Sequence, residues 1–438
     1  MQEARIKAIK ESFWFLPAIY NAIAFLLAIT TVLVDYQLTP EMSLLGIAPL
    51  SLNRTTDMVS SLAGGILTMT TITFSAILIV LTTYSSQFSP RVLQDFISSR
   101  PTQRVLALFS SGFTFCISAM LIVSEEKTYQ LLATPILAVL WSLAGIAAFV
   151  FLLNHTADWL RVNNLIGYIA AETSATIDHM LARDVNRMRQ SVEADDPAWS
   201  KEGVEIKSPA SGYVVTIALE RLIAKAASDN LVVRLEVYAG NFILEGLPLM
   251  TLTGENANDV KPGSYADLVR VDNEPKSWQD IGFGIRKVAE IGLRAISPGI
   301  NDPYTAATSI HHMSVLLVML SQFSEDRNGF FEEEELRLLA REPGFEHYLL
   351  SAFQELRRYG SKDNTTQVAI LNALGWIARL VDHRWHSLLW DFGANTYRLA
   401  VTSLDLQEAE HARLRAPLGD LAHATGRRHD YSELLSAS

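Results

Sequence analysis

The sequence predicts an α-helical membrane domain of four spans, followed by a cytosolic α+β region built from a small β-barrel-like module and a helical domain. Three observations carry this reading. Four apolar segments reach the roughly 20 residues needed to cross a bilayer, at about Phe13–Val34, Leu62–Tyr84, Val105–Val123 and Leu131–Asn154. The second half changes character, first to alternating strand-like runs and then to helical periodicity. Composition agrees: 49% hydrophobic against 19% charged residues over 438 positions is apolar for a soluble chain of this size, which has room for a membrane domain and one or two soluble ones.

The first apolar run follows Met1-Gln-Glu-Ala-Arg5 and has no small-residue cleavage site after it, so it is expected to stay as a span. Arg5, Lys7 and Lys10 precede it, and Arg91, Arg100 and Arg104 lie between the second and third spans. The other two loops hold only Arg54 and Lys127 against Asp35, Glu41, Asp57, Glu125 and Glu126. That bias predicts both termini, and everything after residue 155, on the cytoplasmic side of a bacterial inner membrane. Net charge is -11 with no basic patch, which argues against nucleic acid as a partner; the bilayer is the expected one. A lone cysteine, Cys116, excludes a disulfide framework or thiolate metal site within one chain.

The second span carries a stripe of small polar residues. Alternating steps of three and four give Ser61, Gly64, Thr68, Thr71, Ser75, Leu78, Thr82, Ser85 and Ser89, of which only Leu78 is large and apolar. This repeat keeps all nine on one helical face. In a bilayer such a face should meet another helix or water, because lipid gains nothing from hydroxyls.

Residues 155–205 read as a long helix continuing from the fourth span to about Arg189, then a charged link from Glu193 to Glu205. The β module is expected over 206–255. Turn chemistry at Ser208-Pro-Ala-Ser-Gly212 precedes the alternating run Tyr213–Ile217; Leu231–Val237 alternates again, and Gly240 and Gly246 flank Asn-Phe-Ile-Leu-Glu. The frame resembles the barrel-sandwich hybrid of biotinyl and lipoyl domains but lacks their lysine hairpin, so a swinging-arm role is not expected. Residues 256–412 read as helical, with helices at Trp278–Ile296, from Tyr304, at Phe345–Tyr359 and at Thr366–Val381. Residues 413–438 read as a loosely held polar tail.

Two motifs are distinctive: Ser85-Ser-Gln-Phe-Ser-Pro-Arg91 past the second span, and Ile296-Ser-Pro-Gly-Ile-Asn-Asp-Pro303 in the second half. On these the chain resembles the bacterial predicted-membrane-protein family designated domain of unknown function 2254 (DUF2254), from the first span to about residue 400. The resemblance implies a multi-span inner-membrane protein and no activity.

Function is sought in the stripe. One reading is close packing of helices. Another is a pore in a homo-oligomer, passing small ions, with Leu78 as a dewetting ring, Asp57 at the outer mouth, and Gln87 and Arg91 at the cytosolic one. A closed substrate path is a third. Arg91 alternatively binds lipid headgroups. No carboxylate is placed mid-membrane, which disfavours a coupled transporter. The turn formed by Ser297, Pro298, Gly299, Asn301 and Asp302 is either structural, with Asp302 as N-cap and Pro303 at the first helical position, or a ligand site at an exposed helix start. His311 and His312 point to different helix faces, against a shared metal. No catalytic spacing, metal site or cofactor motif is found, so a non-enzyme without cofactors is expected. The alternative to a channel is a non-conducting sensor or scaffold whose cytosolic domain binds a partner or ligand.

Overall fold

The computed structural model describes residues 14–37, 49–87, 100–123, 130–159, 161–182, 189–193, 196–275, 279–323, 328–403 and 407–436. It divides into two compact units, residues 1–161 and residues 162–438.

Among the described residues the first unit contains four helices long and apolar enough to cross a membrane: α1 (Phe15–Asp35), α2 (Leu52–Gln87), α3 (Arg100–Ile122) and α4 (Ala133–Trp159). The third is central, since α1, α2 and α4 all pack on it. Its small residues permit this. A Cβ on Gly112 would sit 2.7 Å from the Trp141 ring, so α4 lies against α3 where there is no side chain to hold it off. Trp141 stacks on Phe115 and donates its indole N–H to the Leu108 carbonyl at 3.1 Å. Two short strands, β1 (Leu50–Ser51) and β2 (Gln130–Leu131), pair antiparallel just before α2 and α4.

The second helix is longer than the predicted span. Its first turns, from Leu52, bury Thr55 and Val59 while exposing Asn53, Arg54 and Asp57, so the amphipathic start extends the helix beyond the apolar run. At 36 residues it measures roughly 54 Å, more than the hydrocarbon layer of about 30 Å.

In the second unit, the helix expected to run unbroken from the fourth span to about Arg189 is divided. The fourth helix stops at Trp159, and α5 (Val162–Ala182) is separate and amphipathic, burying Leu165, Ile166, Ile169, Thr173 and Ile177. The strands of this unit among the described residues form two sheets and no closed barrel. The first sheet contains β3 (Arg189–Gln190), β4 (Val204–Lys207), β6 (Val232–Leu235), β8 (Pro248–Thr253), β10 (Gly329–Glu332) and β11 (Glu335–Ala340), ordered β3-β10-β11-β6-β8-β4. Only β11 and β6 run parallel. The second sheet is antiparallel, β7 (Phe242–Ile243), β5 (Gly212–Ile217) and β9 (Val269–Asp272) in the order β7-β5-β9. Helix α6 (Leu219–Asp229) contributes to their shared core, in which Val214, Leu222, Val233, Leu252, Tyr265 and Phe330 are buried.

The hairpin β10–β11 overturns the expectation that everything after 256 is helical. Its turn is made by Glu333 and Glu334, both with positive φ (51° and 65°). Non-glycine residues rarely adopt that conformation, and hairpins of this kind ordinarily advertise Asn-Gly or Asp-Gly. The acidic run Glu332–Glu335 gives no such signal.

The remaining helices are α7 (Ile281–Ala295), α8 (Pro303–Leu320), α9 (Phe345–Tyr359), α10 (Asn364–Ala378), α11 (His386–Ser403), α12 (Glu408–Thr425) and α13 (Arg428–Ser436). Helix α5 packs on α7 and α8, and α10 packs on α8, α11 and α12. The expected loose tail is therefore corrected: Leu414, Leu418, Leu421 and Ala422 fall on one face of α12 and are buried, as is Leu434 of α13.

Gly284 sets how closely α5 and α7 approach. A Cβ there would overlap the Thr173 hydroxyl, which is itself tied to the Ile169 carbonyl at 2.7 Å. Helix propensity favours alanine over glycine by about 1 kcal/mol, but overpacking a closed interface costs about 1–3 kcal/mol. Gly284→Ala should therefore lower the melting temperature, measured by circular dichroism of the purified chain, instead of raising it.

Candidate functional site

The second helix has three faces. Val59, Ala63, Ile66, Thr73, Ile77 and Val80 are buried against its own unit. At about 100° per residue the polar stripe falls on the opposite side. Ser61, Gly64, Thr68, Thr71, Ser75, Leu78 and Thr82 are all exposed, Leu78 at 60%. Leu67 and Phe74 on one flank and Ile72 and Ile79 on the other are exposed apolar residues suited to lipid. Among the described residues the stripe thus takes no part in packing between the helices of its own unit, and a Cβ on Gly64 or Gly65 would meet nothing within 4 Å. Asp57 is exposed at the start of the same side. Ser85 and Gln87 lie on the helix, with their side chains outside the described residues; Ser89 and Arg91 lie outside them altogether.

Each described hydroxyl of the stripe bonds back to its own helix. Ser61 donates to the Asp57 carbonyl (2.8 Å), Thr68 to Gly64 (2.9 Å), Thr71 to Leu67 (3.0 Å), Ser75 to Thr71 (3.0 Å) and Thr82 to Leu78 (2.8 Å). Such back-bonding satisfies each donor without a partner helix and leaves the oxygen lone pairs outward as acceptors. An array of neutral oxygens can replace part of a cation's hydration and carries no net charge.

Two other polar side chains of this unit, Asn21 and Asp35, are engaged internally. Asn21 donates to the Pro17 carbonyl (2.7 Å) and to Ser110 Oγ (3.0 Å), and accepts from Thr114 Oγ1 (2.6 Å), locking α1 to α3. Asp35 was legible only as a loop charge, yet it is buried. One carboxylate oxygen accepts from the backbone N–H groups of Leu132 (2.9 Å) and Ala133 (2.7 Å), and the other from Thr134 (2.9 Å). The end of α1 thus caps the start of α4, nearly a hundred residues away, satisfying orphan donors and opposing the positive end of the helix dipole. A cap from so distant a residue leaves no local sequence signature.

In the second unit, Asp302 caps α8 as its spacing suggests, accepting from the Thr305 N–H (3.2 Å) and hydroxyl (2.6 Å), with Pro303 in the first turn. The turn before it closes on itself. Ser297 donates its hydroxyl to the Arg294 carbonyl (2.7 Å); the Ile300 and Asn301 amides donate to the Ser297 carbonyl, and the Asp302 amide to the Ala295 carbonyl. Asn301 takes the left-handed conformation (φ 51°), and Gly299 faces open space. His311 lies against Trp376 (5.3 Å between ring centres), whereas His312 approaches Gly167 of α5, so the two diverge. Among the described residues no group of three or more His, Cys, Asp or Glu side chains is placed to hold a metal.

A polar cluster that the sequence did not announce gathers at the start of α7. Asp280 is buried, caps α7 through the Phe283 N–H (2.9 Å) and pairs with Arg286 (2.8 Å). Burial pushes its carboxyl above the usual range, against the opposing pull of Arg286 and the Phe283 amide. Gly240 lies flush against this carboxylate, its φ of +99° open only to glycine at little strain. His347 has its pKa lowered by burial and by Arg286, and the Tyr348 phenol is held protonated by burial.

The profile of the predicted membrane protein family DUF2254 matches residues 10–375. The chain belongs to this family. The match ends within α10, so α11 to α13 lie beyond it. Uncharacterized proteins of Mycobacterium bovis and Mycobacterium tuberculosis are similar, each 30% identical over 323 residues, covering 70% of this chain. The chain spans 60% of the length of these relatives. No solved structure matches. The two motifs singled out in the sequence fall within the matched region: one at the end of α2, running into residues outside the described set, the other forming the closed turn into α8.

Proposed function

We propose that this DUF2254 protein assembles as a homo-oligomer in the bacterial inner membrane, with the second helix of each copy lining a passage for small ions. The observation that carries this reading is the position of the stripe, diametrically opposite the face that α2 buries in its own unit. The flanks of α2 carry the large apolar side chains that lipid favours, so the small, oxygen-rich strip between them is suited to water or a neighbouring copy. The Lys/Arg bias of the short loops supports both termini, and the unit after residue 161, on the cytoplasmic side. The neutral lining suits small ions with weak charge discrimination, tuned at the mouths by Asp57, Gln87 and Arg91.

Thiol accessibility tests the lining. In a Cys116→Ser background reconstituted in vesicles, Thr71→Cys and Ser75→Cys should react with a charged, membrane-impermeant methanethiosulfonate reagent. Their rates should exceed that of Leu67→Cys on the lipid flank by roughly tenfold or more, because only a thiol that meets water forms the reactive thiolate. Equal, slow reaction at all three positions defeats the proposal.

A further inference from the structure

The second unit contains a cleft of about 70 Å³ where the β module meets the helices. Its floor is apolar: Ile217, Leu235, Ile281 and Leu320, all buried, with Phe323 beside them. Its polar lining comes from Arg189, Tyr238, Gln279, Arg341, Glu342 and Tyr348. An apolar floor with a few convergent polar groups is the usual form of a small-molecule site.

Arg189 stands out among these. Its side chain is only 10% exposed, Nη2 is held by Glu342 at 2.6 Å, and the guanidinium lies over the Phe330 ring at 5.0 Å. Its buried Nε–H has no hydrogen-bond partner. A buried donor left open on a charged group is costly, and a small turn of the side chain that brings it to a ligand acceptor in the cleft would remove that cost. Arg189 and Arg341 against the single carboxylate of Glu342 leave one net positive charge among the lining residues, with the Arg341 guanidinium lying over the Trp199 ring at 4.5 Å. The nearby Asp280 and Arg286 answer one another and add no net charge. The cleft volume corresponds to about five waters, which limits the occupant to a small molecule.

We infer that this cleft binds a small monocarboxylate with a compact branched or aromatic body, its carboxylate accepting from Arg189 and its body resting on Ile217, Leu235 and Ile281. Tyr348 lines the same cleft, and burial raises its pKa further above the usual phenol value. The inference is independent of what α2 does in the membrane.

Ligand binding to the full chain in lipid nanodiscs tests it, read by saturation-transfer NMR with 3-methylbutanoate, 3-methylbutanamide and acetate as probes. 3-Methylbutanoate should bind saturably in the millimolar range or tighter. The amide, which lacks the charge, and acetate, which lacks the apolar body, should bind roughly tenfold more weakly or not at all. Arg189→Lys keeps a cation for Glu342 but removes the Nε–H, and should weaken 3-methylbutanoate by roughly tenfold. Ala239→Phe, which fills the cleft from its rim, should abolish binding and provides a second route if Arg189→Lys lowers the melting temperature sharply. Absence of saturable binding, equal binding of acid and amide, or binding untouched by Ala239→Phe would overturn the inference.

Discussion

Asp35→Ala should be the most destabilising single substitution in the membrane unit. The carboxylate is buried and accepts three backbone N–H groups at the start of α4, at 2.7–2.9 Å. Alanine leaves all three donors unsatisfied at once. Each buried orphan costs about 1–3 kcal/mol; with some water reaching the helix end, the total loss is about 3–5 kcal/mol. Whole domains are stable by only about 5–15 kcal/mol, so the variant should unfold far below the wild type in a detergent melt, or fail to accumulate. Asp35→Asn, which keeps one acceptor oxygen and loses the charge, should recover part of the loss. Asp57→Ala is the control. Asp57 is exposed on α2, and its removal should change stability by less than about 0.5 kcal/mol. If Asp35→Ala melts like Asp57→Ala, the tie between α1 and α4 is not what joins them.

Asp35 also shows what the sequence conceals. As a residue type it reads as a solvated loop charge, because nothing near it in the chain reveals that residues 132–134 will lie against it. The four apolar segments were legible because membrane burial leaves a composition signal that no local detail obscures. So was the cap at Asp302, whose partner Thr305 is three residues away. The strand pair β10–β11 was not, since its turn is made by two glutamates in a conformation usually reserved for glycine or asparagine. The packed tail was missed for a related reason: Leu414, Leu418 and Leu421 are a sparse apolar row among charged residues, and only the distant helices α10 and α11 give it partners. The Asp280–Arg286 pair and the cleft with Arg189 join residues from distant stretches of chain, which spacing alone cannot reveal. The stripe on α2 lies at the other extreme. Its periodicity was plain in the sequence, and the fold adds that it turns away from its own unit.

That orientation makes Leu78 the residue on which the functional account depends. It is the one bulky apolar side chain of the stripe, and it is exposed between Ser75 and Thr82. Where copies of α2 surround an axis, a ring of leucines forms a dry constriction that ions cross only when it wets. Exchanging leucine for serine removes about 1.5–3 kcal/mol of apolar character per side chain, equivalent to roughly ten- to a hundredfold in the rate of crossing. Ile79→Ser, one residue away on the lipid flank, leaves the axis unchanged. The decisive measurement is current through purified protein in planar bilayers, comparing the wild type with these two variants. The account predicts conduction of small ions that rises at least tenfold in Leu78→Ser and not in Ile79→Ser. Silence from all three, or the same response to both substitutions, would contradict it.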